Sequence, residues 1–453
     1  MLALTSPVNY PNNKDKSLEE LRIGILGFGT VGRGVVTMLL EHGDEMAKRT
    51  GIRLRLVRIA TRTPGRDRGV ELGDVELTGD VRLVVDGDDI DVVVELIGGV
   101  DSAETLVRDA LNNGKHVVTA NKALIAEKGV ALLDIAAKNG LELAFEAAVA
   151  GAVPIVKAIK ESLAADPIDR IYGILNGTCN FILTEMREKG LSFQTVLTDA
   201  QEKGFAEADP TFDVEGIDAA HKLAILAAIA FGTTPNFKGI HIEGISNISD
   251  IDIAWAMEMG YRIKLLAIAK RMERGVELRV QPTLVPDTSM VASVEGVFNS
   301  VFVHSAYAGT TMYHGRGAGE KPTASAVVAD LIEIARNKRV DAKGRVAGLS
   351  VLTENLRPLP VLPMSELAGE YYLRLAVTDR PGVLADVTTA LARFDISIDA
   401  IRQKGRSQKE AVPLVIVTHK TTEQQIQDGL LALESLDSVQ EKPHFIRIET
   451  GFA

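Results

Sequence analysis

Between residues 21 and 120 the chain repeats one pattern, a short and almost continuously apolar run that alternates with helical spacing. The runs are Arg22–Leu26, Leu54–Ala60, Val81–Val85, Val92–Val94 and Val117–Thr119, each read as a strand. Helical spacing appears at Val35–Leu40, Ala103–Asn112 and Val130–Ala137. Strands that are apolar at every position, rather than at alternate ones, must be covered on both faces. A parallel sheet with helices on each side meets that condition, so the N-terminal part is an α/β unit.

The first strand–helix junction reads Gly27-Phe28-Gly29-Thr30-Val31-Gly32, a G-x-G-x-x-G turn. The first glycine permits the turn, the second lets the backbone approach a pyrophosphate, and the third lets helix and strand pack closely. The helix N-terminus adds positive potential. In this context the turn marks a doubly wound, Rossmann-type dinucleotide-binding domain over residues 21–150, to which the chain returns at about 320–347. A domain that grips only ribose hydroxyls carries an acid after the second strand. Here the strand ends in Ala60-Thr61-Arg62, with Arg66 and Arg68 following. Arg62 can pair with a 2′-phosphate, so NADP is expected alongside NAD; a solvated basic loop is the plainer reading.

Composition removes several classes. The net charge is −11 and no Lys/Arg stripe occurs, so a nucleic-acid partner is not expected. Residues 1–20 form a polar tail without a signal pattern, and the longest apolar stretch, Leu223–Gly232, is too short to span a bilayer. Cys179 is the only cysteine, so no intrachain disulfide can form, in keeping with a cytoplasmic location. The eight histidines show no transition-metal spacing.

Residues 151–319 mix helices with strand-like segments at 276–285 and 297–307, and they form an α+β domain for catalysis and oligomerisation. The helix from His221 to Phe231 is apolar nearly all round and is expected to be buried. Pro358, Pro360 and Pro363 mark a linker over 348–369. Residues 370–449 then run strand, helix, strand, a polar hairpin tip at Lys404–Lys409, strand, helix, strand. This βαββαβ order is ferredoxin-like.

Carboxylates crowd the loop before the apolar helix, at Glu207, Asp209, Asp213, Glu215 and Asp218. Asp218 and Lys222 are four residues apart and share a helix face. A surface ion pair is the bland reading, but Lys222 opens an apolar stretch, where a desolvated lysine suits proton transfer.

The spacing of Ala200, Gly204, Asp209-Pro210, Asp213, Gly216, Asp218 and Lys222 resembles the homoserine dehydrogenase family. Thr119-Ala120-Asn121-Lys122, Asn176-Gly177-Thr178-Cys179-Asn180 and Gly315-Arg316-Gly317-Ala318-Gly319 agree with it. The resemblance covers about residues 21–345. It implies NAD(P)-dependent interconversion of homoserine and aspartate 4-semialdehyde, a step of threonine, methionine and isoleucine biosynthesis. Lys222 would exchange the proton on the substrate oxygen, and Lys122, closing a strand, would stand between cofactor and substrate. Glu207 and Asp218 would hold the substrate, with Asp213 in support and Thr178 and Gly204 against substrate or cofactor. Gly319, and less directly Gly317, would lie near the nicotinamide. Glu146, Val149, Gly151 and Val153 resemble positions around a structural sodium ion.

Residues 370–449 resemble an ACT domain, a unit that pairs and binds amino acids. Its turn, Asp379-Arg380-Pro381-Gly382-Val383-Leu384, matches the family's ligand turn, and threonine is the implied effector. A domain that only dimerises is the alternative. No kinase-like region precedes residue 21, so the reading is of a monofunctional enzyme. A homodimer or homotetramer is expected. A dehydrogenase for another amino acid or semialdehyde, or a non-catalytic NAD(P)/amino-acid sensor, stays open. The sensor would not need Lys122, Glu207, Asp218 and Lys222 together.

Overall fold

The computed structural model describes residues 18–405 and 411–452. The tail to residue 17 and part of the hairpin tip read at Lys404–Lys409 fall outside the described residues. Two sheets organise the rest.

The first holds β1 (Glu20–Leu26), β2 (Arg53–Ala60), β3 (Glu76–Thr78), β4 (Val92–Glu95), β5 (His116–Thr119) and β6 (Leu143–Ala144), in the order β3-β2-β1-β4-β5-β6. Every neighbouring pair is parallel. Burial of all four β4 residues shows why that run carries no polar alternation. The reading of Val81–Val85 as a strand is overturned: Arg82–Val85 is a helical turn, and Glu76–Thr78 supplies the edge strand. Asp80 accepts from the Arg82 amide at 2.8 Å, which starts the turn. An apolar run of five residues carries no period by which strand and buried helical turn can be separated.

The helix Glu320–Arg339 returns to this domain and lies along the Thr30–Thr50 helix. Its Ala324, Val327, Val328, Leu331 and Ile334 enter one core with Ile23, Ile25, Val35 and Ile59. At Gly34 a β-carbon would stand 2.8 Å from the Glu320 carbonyl, so glycine sets how near the two helix N-termini come.

The second sheet contains β7 (Ile168–Ile174), β8 (His241–Ile242), β9 (Tyr261–Met272), β10 (Gly275–Pro286), β11 (Phe298–Ser305), β12 (Gly309–Arg316), β13 (Ala368–Val377), β14 (Ile398–Gln403), β15 (Val412–Thr418), β16 (Thr421–Thr422) and β17 (His444–Ile448). Its main order is β12-β11-β7-β9-β10-β17-β13-β15-β14. The C-terminal βαββαβ unit is therefore not a separate sheet, because β17 docks parallel on β10 and fuses the two halves. The helical cover changes face at this seam. Ile217–Phe231 packs on the face of Val276, Leu278 and Val280. Val383–Ala392 and Glu423–Glu434 pack on the opposite face, that of Tyr371, Leu373 and Leu375. The proline-containing connection between the halves is itself seated: Val361 bridges Val276, and Thr233 Oγ1 donates to the Arg357 carbonyl at 2.8 Å.

Candidate active site

The glycine turn has the geometry its sequence requires. Gly27 has φ +104°, and a β-carbon there would lie 2.7 Å from the Leu96 carbonyl oxygen. Nothing stands within 4 Å of a β-carbon built on Gly29, which leaves the Thr30–Thr50 helix N-terminus open to an anion. At Gly32 a β-carbon would meet the Gly27 carbonyl at 2.3 Å. Phe28 is buried beneath the Arg68 guanidinium, whose Nε donates to the Phe28 carbonyl at 2.6 Å. Its ring therefore braces the turn, Thr30 is exposed, and Val31 is half-buried. Arg68 also ties Thr61 and Thr63, while Arg62 stands exposed after the end of β2 without a partner among the described residues. Gly319, at φ +116°, opens the neighbouring Glu320–Arg339 helix.

Lys122 does not close a strand: β5 ends at Thr119, and Lys122 is the first residue of the helix Lys122–Lys138. Asn121 caps that helix, accepting from the Leu124 amide at 3.1 Å and donating to the Gly99 carbonyl at 2.6 Å. Behind it, fully buried Glu95 accepts from Thr119 Oγ1 at 2.6 Å and from the Ile97 and Gly98 amides. The end of β4 is thereby locked to the start of the Lys122 helix.

From that helix Lys122 reaches Asp218 Oδ1 at 3.2 Å and lies over the Phe212 ring. Asp218 Oδ2 accepts from Lys222 Nζ at 2.7 Å, closing the i,i+4 pair in a buried setting. Lys222 donates also to the Leu175 carbonyl at 2.7 Å. An ammonium has three N–H groups, so one remains for a substrate oxygen. Asn176 works with both ends of its amide. Its Oδ1 caps the Gly177–Lys189 helix at the Cys179 amide, and its Nδ2 donates to Asp213 at 2.7 Å and Asp218 at 2.9 Å. Burial opposes the charge on Asp218, but the ammoniums of Lys222 and Lys122 bring its pKa down to about 2. Asp213 moves upward, through burial and then the charge of Asp218.

Thr178 donates to Asp213 at 3.2 Å and to the Phe205 carbonyl at 2.8 Å, fastening the 204–209 loop to the cluster. On that loop Gly204 (φ +73°) and Glu207 are exposed, and the Glu207 carboxylate has no partner among the described residues. The structure thus unites Lys122, Asp213, Asp218, Lys222 and Thr178 and leaves Glu207 on the rim. Cys179 is fully buried, with Sγ 3.2 Å from the Asp213 carbonyl, and burial pushes its thiol pKa well up. Sequence reasoning did not single out Asn176, Asn121 or Glu95. An Asn before Gly-Thr at a helix start is a cap signal, and it could have found the first.

Near the first domain's exit, Ala150 and Gly151 are consecutive left-handed residues, φ +55° and +50°. Among the described residues nothing donates to the carbonyls of Val149 or Gly151, whereas that of Val153 accepts from Ile155 at 2.7 Å. The buried Glu146 carboxylate accepts from the Val156 and Lys157 amides at 2.9 and 2.8 Å. Burial, then the charge of Asp330, pushes its pKa up to about 7. No group of three or more His, Cys, Asp and Glu is arranged for a metal ion, and no helix is long and apolar enough to cross a membrane, among the described residues. In the C-terminal unit the turn Asp379–Leu384 leads from β13 into the Val383–Ala392 helix. Gly382 is left-handed at φ +94°, Val383 is buried, and the other five residues are exposed.

Comparison with known proteins agrees with this geometry. Residues 27–146 match the NAD-binding domain of homoserine dehydrogenase, 154–332 the homoserine dehydrogenase family, and 371–438 the ACT domain. The chain is 48% identical to homoserine dehydrogenase of Pseudomonas aeruginosa, over 95% of this chain and 99% of that one. The crystal structure of a homoserine dehydrogenase from Thiobacillus denitrificans superposes with a TM-score of 0.90 at 48% identity, covering 95% and 99% of the two chains. A hyperthermophilic archaeal homoserine dehydrogenase in complex with NADPH superposes at 0.61, with 27% identity over 70% of this chain and 97% of that one. The chain belongs to the homoserine dehydrogenase family, as an oxidoreductase with a nicotinamide-binding α/β domain, a catalytic domain and a C-terminal ACT domain.

Proposed function

We propose that Lys222 is the group that exchanges a proton with the substrate oxygen as homoserine and aspartate 4-semialdehyde interconvert. The observation that carries this reading is the bridging of one buried carboxylate, Asp218, by two lysines, one of which keeps a free N–H. A nicotinamide bound beyond the glycine turn supplies or accepts the hydride. In the reducing direction Lys222 donates a proton to the carbonyl oxygen, and in the oxidising direction it takes that proton back. Lys122 faces both cofactor and substrate. Glu207 and Asp218 hold the α-ammonium, Asp213 stiffens Asp218 through Asn176, and Thr178 and Gly204 shape the loop. The test is semialdehyde-dependent oxidation of NADPH. Wild-type turnover that disappears in Lys222→Ala is the expected outcome, and no turnover with either cofactor sinks the reading.

Arg62, exposed and without a partner among the described residues, supports binding of the 2′-phosphate of NADP, and the NADPH complex of the archaeal relative supports the same choice. Gly27 to Gly32 would hold the pyrophosphate, and Gly319 would face the nicotinamide. The free carbonyls of Val149 and Gly151 suit a sodium ion, with Glu146 and Val153 shaping the turn as a structural frame. A higher melting temperature in sodium than in choline chloride is the expected sign. The ACT turn, Asp379 to Leu384, receives an amino-acid effector, for which threonine is our choice. The enzyme works in the cytoplasm as a homodimer or homotetramer, and sedimentation as a stable monomer would refute that assembly.

A further inference from the structure

Asn299, at the start of β11, touches the candidate site at the Leu175 carbonyl. It is 1% exposed. Its Nδ2 donates to the Leu175 carbonyl at 2.9 Å, the same oxygen that accepts from Lys222 at 2.7 Å. Both lone pairs of that carbonyl are thereby used, and Asn299 fixes the acceptor that orients Lys222. Its other flank presses on the loop before the Glu320–Arg339 helix. A β-carbon on Gly317 would fall 2.1 Å from the Asn299 amide carbon and nitrogen and 2.4 Å from its Oδ1. One side chain thus touches the proton-transfer half of the site and the loop leading to Gly319.

The amide is half satisfied. Oδ1 is buried and accepts no hydrogen bond from any described residue. Buried polar atoms are nearly always paired, and an orphan marks either strain or a partner not yet present. The missing partner must bring a hydrogen-bond donor to the Gly177–Gly317 side of the site. Gly177 adjoins the same oxygen, 3.7 Å from a β-carbon built on it. We propose that Asn299 is a positioning residue whose Oδ1 accepts from the carboxamide N–H of the bound nicotinamide, while its Nδ2 sets Leu175 and through it Lys222. One rigid amide then fixes hydride carrier and proton carrier relative to each other. The inference rests on reading the 317–319 loop as the nicotinamide end of the site.

The test compares binding of NADPH with binding of its 3-acetylpyridine analogue, which keeps the carbonyl but has no N–H. Fluorescence titration of the wild type should favour the carboxamide by about tenfold, the worth of one buried hydrogen bond. Asn299→Leu should bring the ratio to near one. Asn299→Asp keeps an acceptor and loses the donor, so it should keep the ratio while turnover falls. Equal affinities in the wild type overturn the proposal before any variant is made. So does a ratio that falls to one in Asn299→Asp, or one that persists in Asn299→Leu. Failure to bind either dinucleotide would instead refute the cofactor reading itself.

Discussion

Two clusters of buried charge lie on the second sheet, and they differ in one respect. At the β10–β17 seam Arg279 donates to Glu277 and Glu449 at 2.6 and 3.1 Å, and Lys270 reaches Glu449 at 2.6 Å. Arg447 donates twice to Glu423, at 2.9 and 2.5 Å, and once to Glu243 at 2.7 Å. Tyr371 adds a further bond to Glu423 at 3.0 Å. Each cation there is paired with carboxylates of the protein. In the proposed catalytic cluster Lys222 keeps an N–H and Asn299 keeps an oxygen, while exposed Glu207 on its rim has no carboxylate partner among the described residues. Buried charge alone therefore does not mark the active site. Unspent hydrogen-bonding capacity inside a charged cluster is the further requirement, because a ligand needs somewhere to bond.

Four substitutions sharpen or break this contrast, in falling order of effect. Lys222→Ala should lower kcat by roughly 10²–10⁴-fold, the usual worth of a positioned proton carrier, in initial rates with aspartate semialdehyde. Arg447→Met should do the reverse. It leaves Glu423 and Glu243 without their guanidinium and costs about 3 kcal/mol in urea unfolding, with turnover changed less than tenfold. Equal damage to activity from both variants would dissolve the distinction.

The third concerns pH. Asp218 has a folded-state pKa depressed to about 2, so its contribution is present above the unfolded value near 4 and is lost as pH falls toward 2. That contribution is about 2 kcal/mol, and the stability gap between wild type and Asp218→Asn should close over this interval. A gap that is flat with pH would show that Lys122 and Lys222 do not hold the charge. The smallest effect belongs to Tyr371→Phe, about 1 kcal/mol by thermal unfolding with no change in rate.

What the sequence made legible follows the reach of each interaction. The glycine turn, the Asp218–Lys222 pair and the βαββαβ order depend on residues within a few positions, or on periodicity within one element. Asn176 announced a helix cap, but its second task, joining Asp213 to Asp218, depends on a loop about 40 residues on. The shared Leu175 carbonyl was out of reach because a backbone oxygen has no sequence signature. Asn299 was missed for a similar reason, since its partners lie more than 100 residues back and at the glycine of a later loop. Val81–Val85 failed differently, being too short to show a period. Nor did any local signal foretell that the seventeenth strand would pair with the tenth, because its apolar pattern fits an edge strand or a central one equally well.

That pairing imposes an order on synthesis. The open edge of β10 acquires β17 only after some 160 more residues have been made, on the order of ten seconds or more at ribosomal speed. Throughout that interval the Thr283–Leu284 end of β10, beyond the stretch that β8 pairs, offers unpaired amides and carbonyls to any passing chain. The newborn protein keeps that exposed end while all the residues of the candidate active site already exist. Damage to the last few dozen codons should accordingly appear first as insoluble protein in the cell, ahead of any loss of regulation.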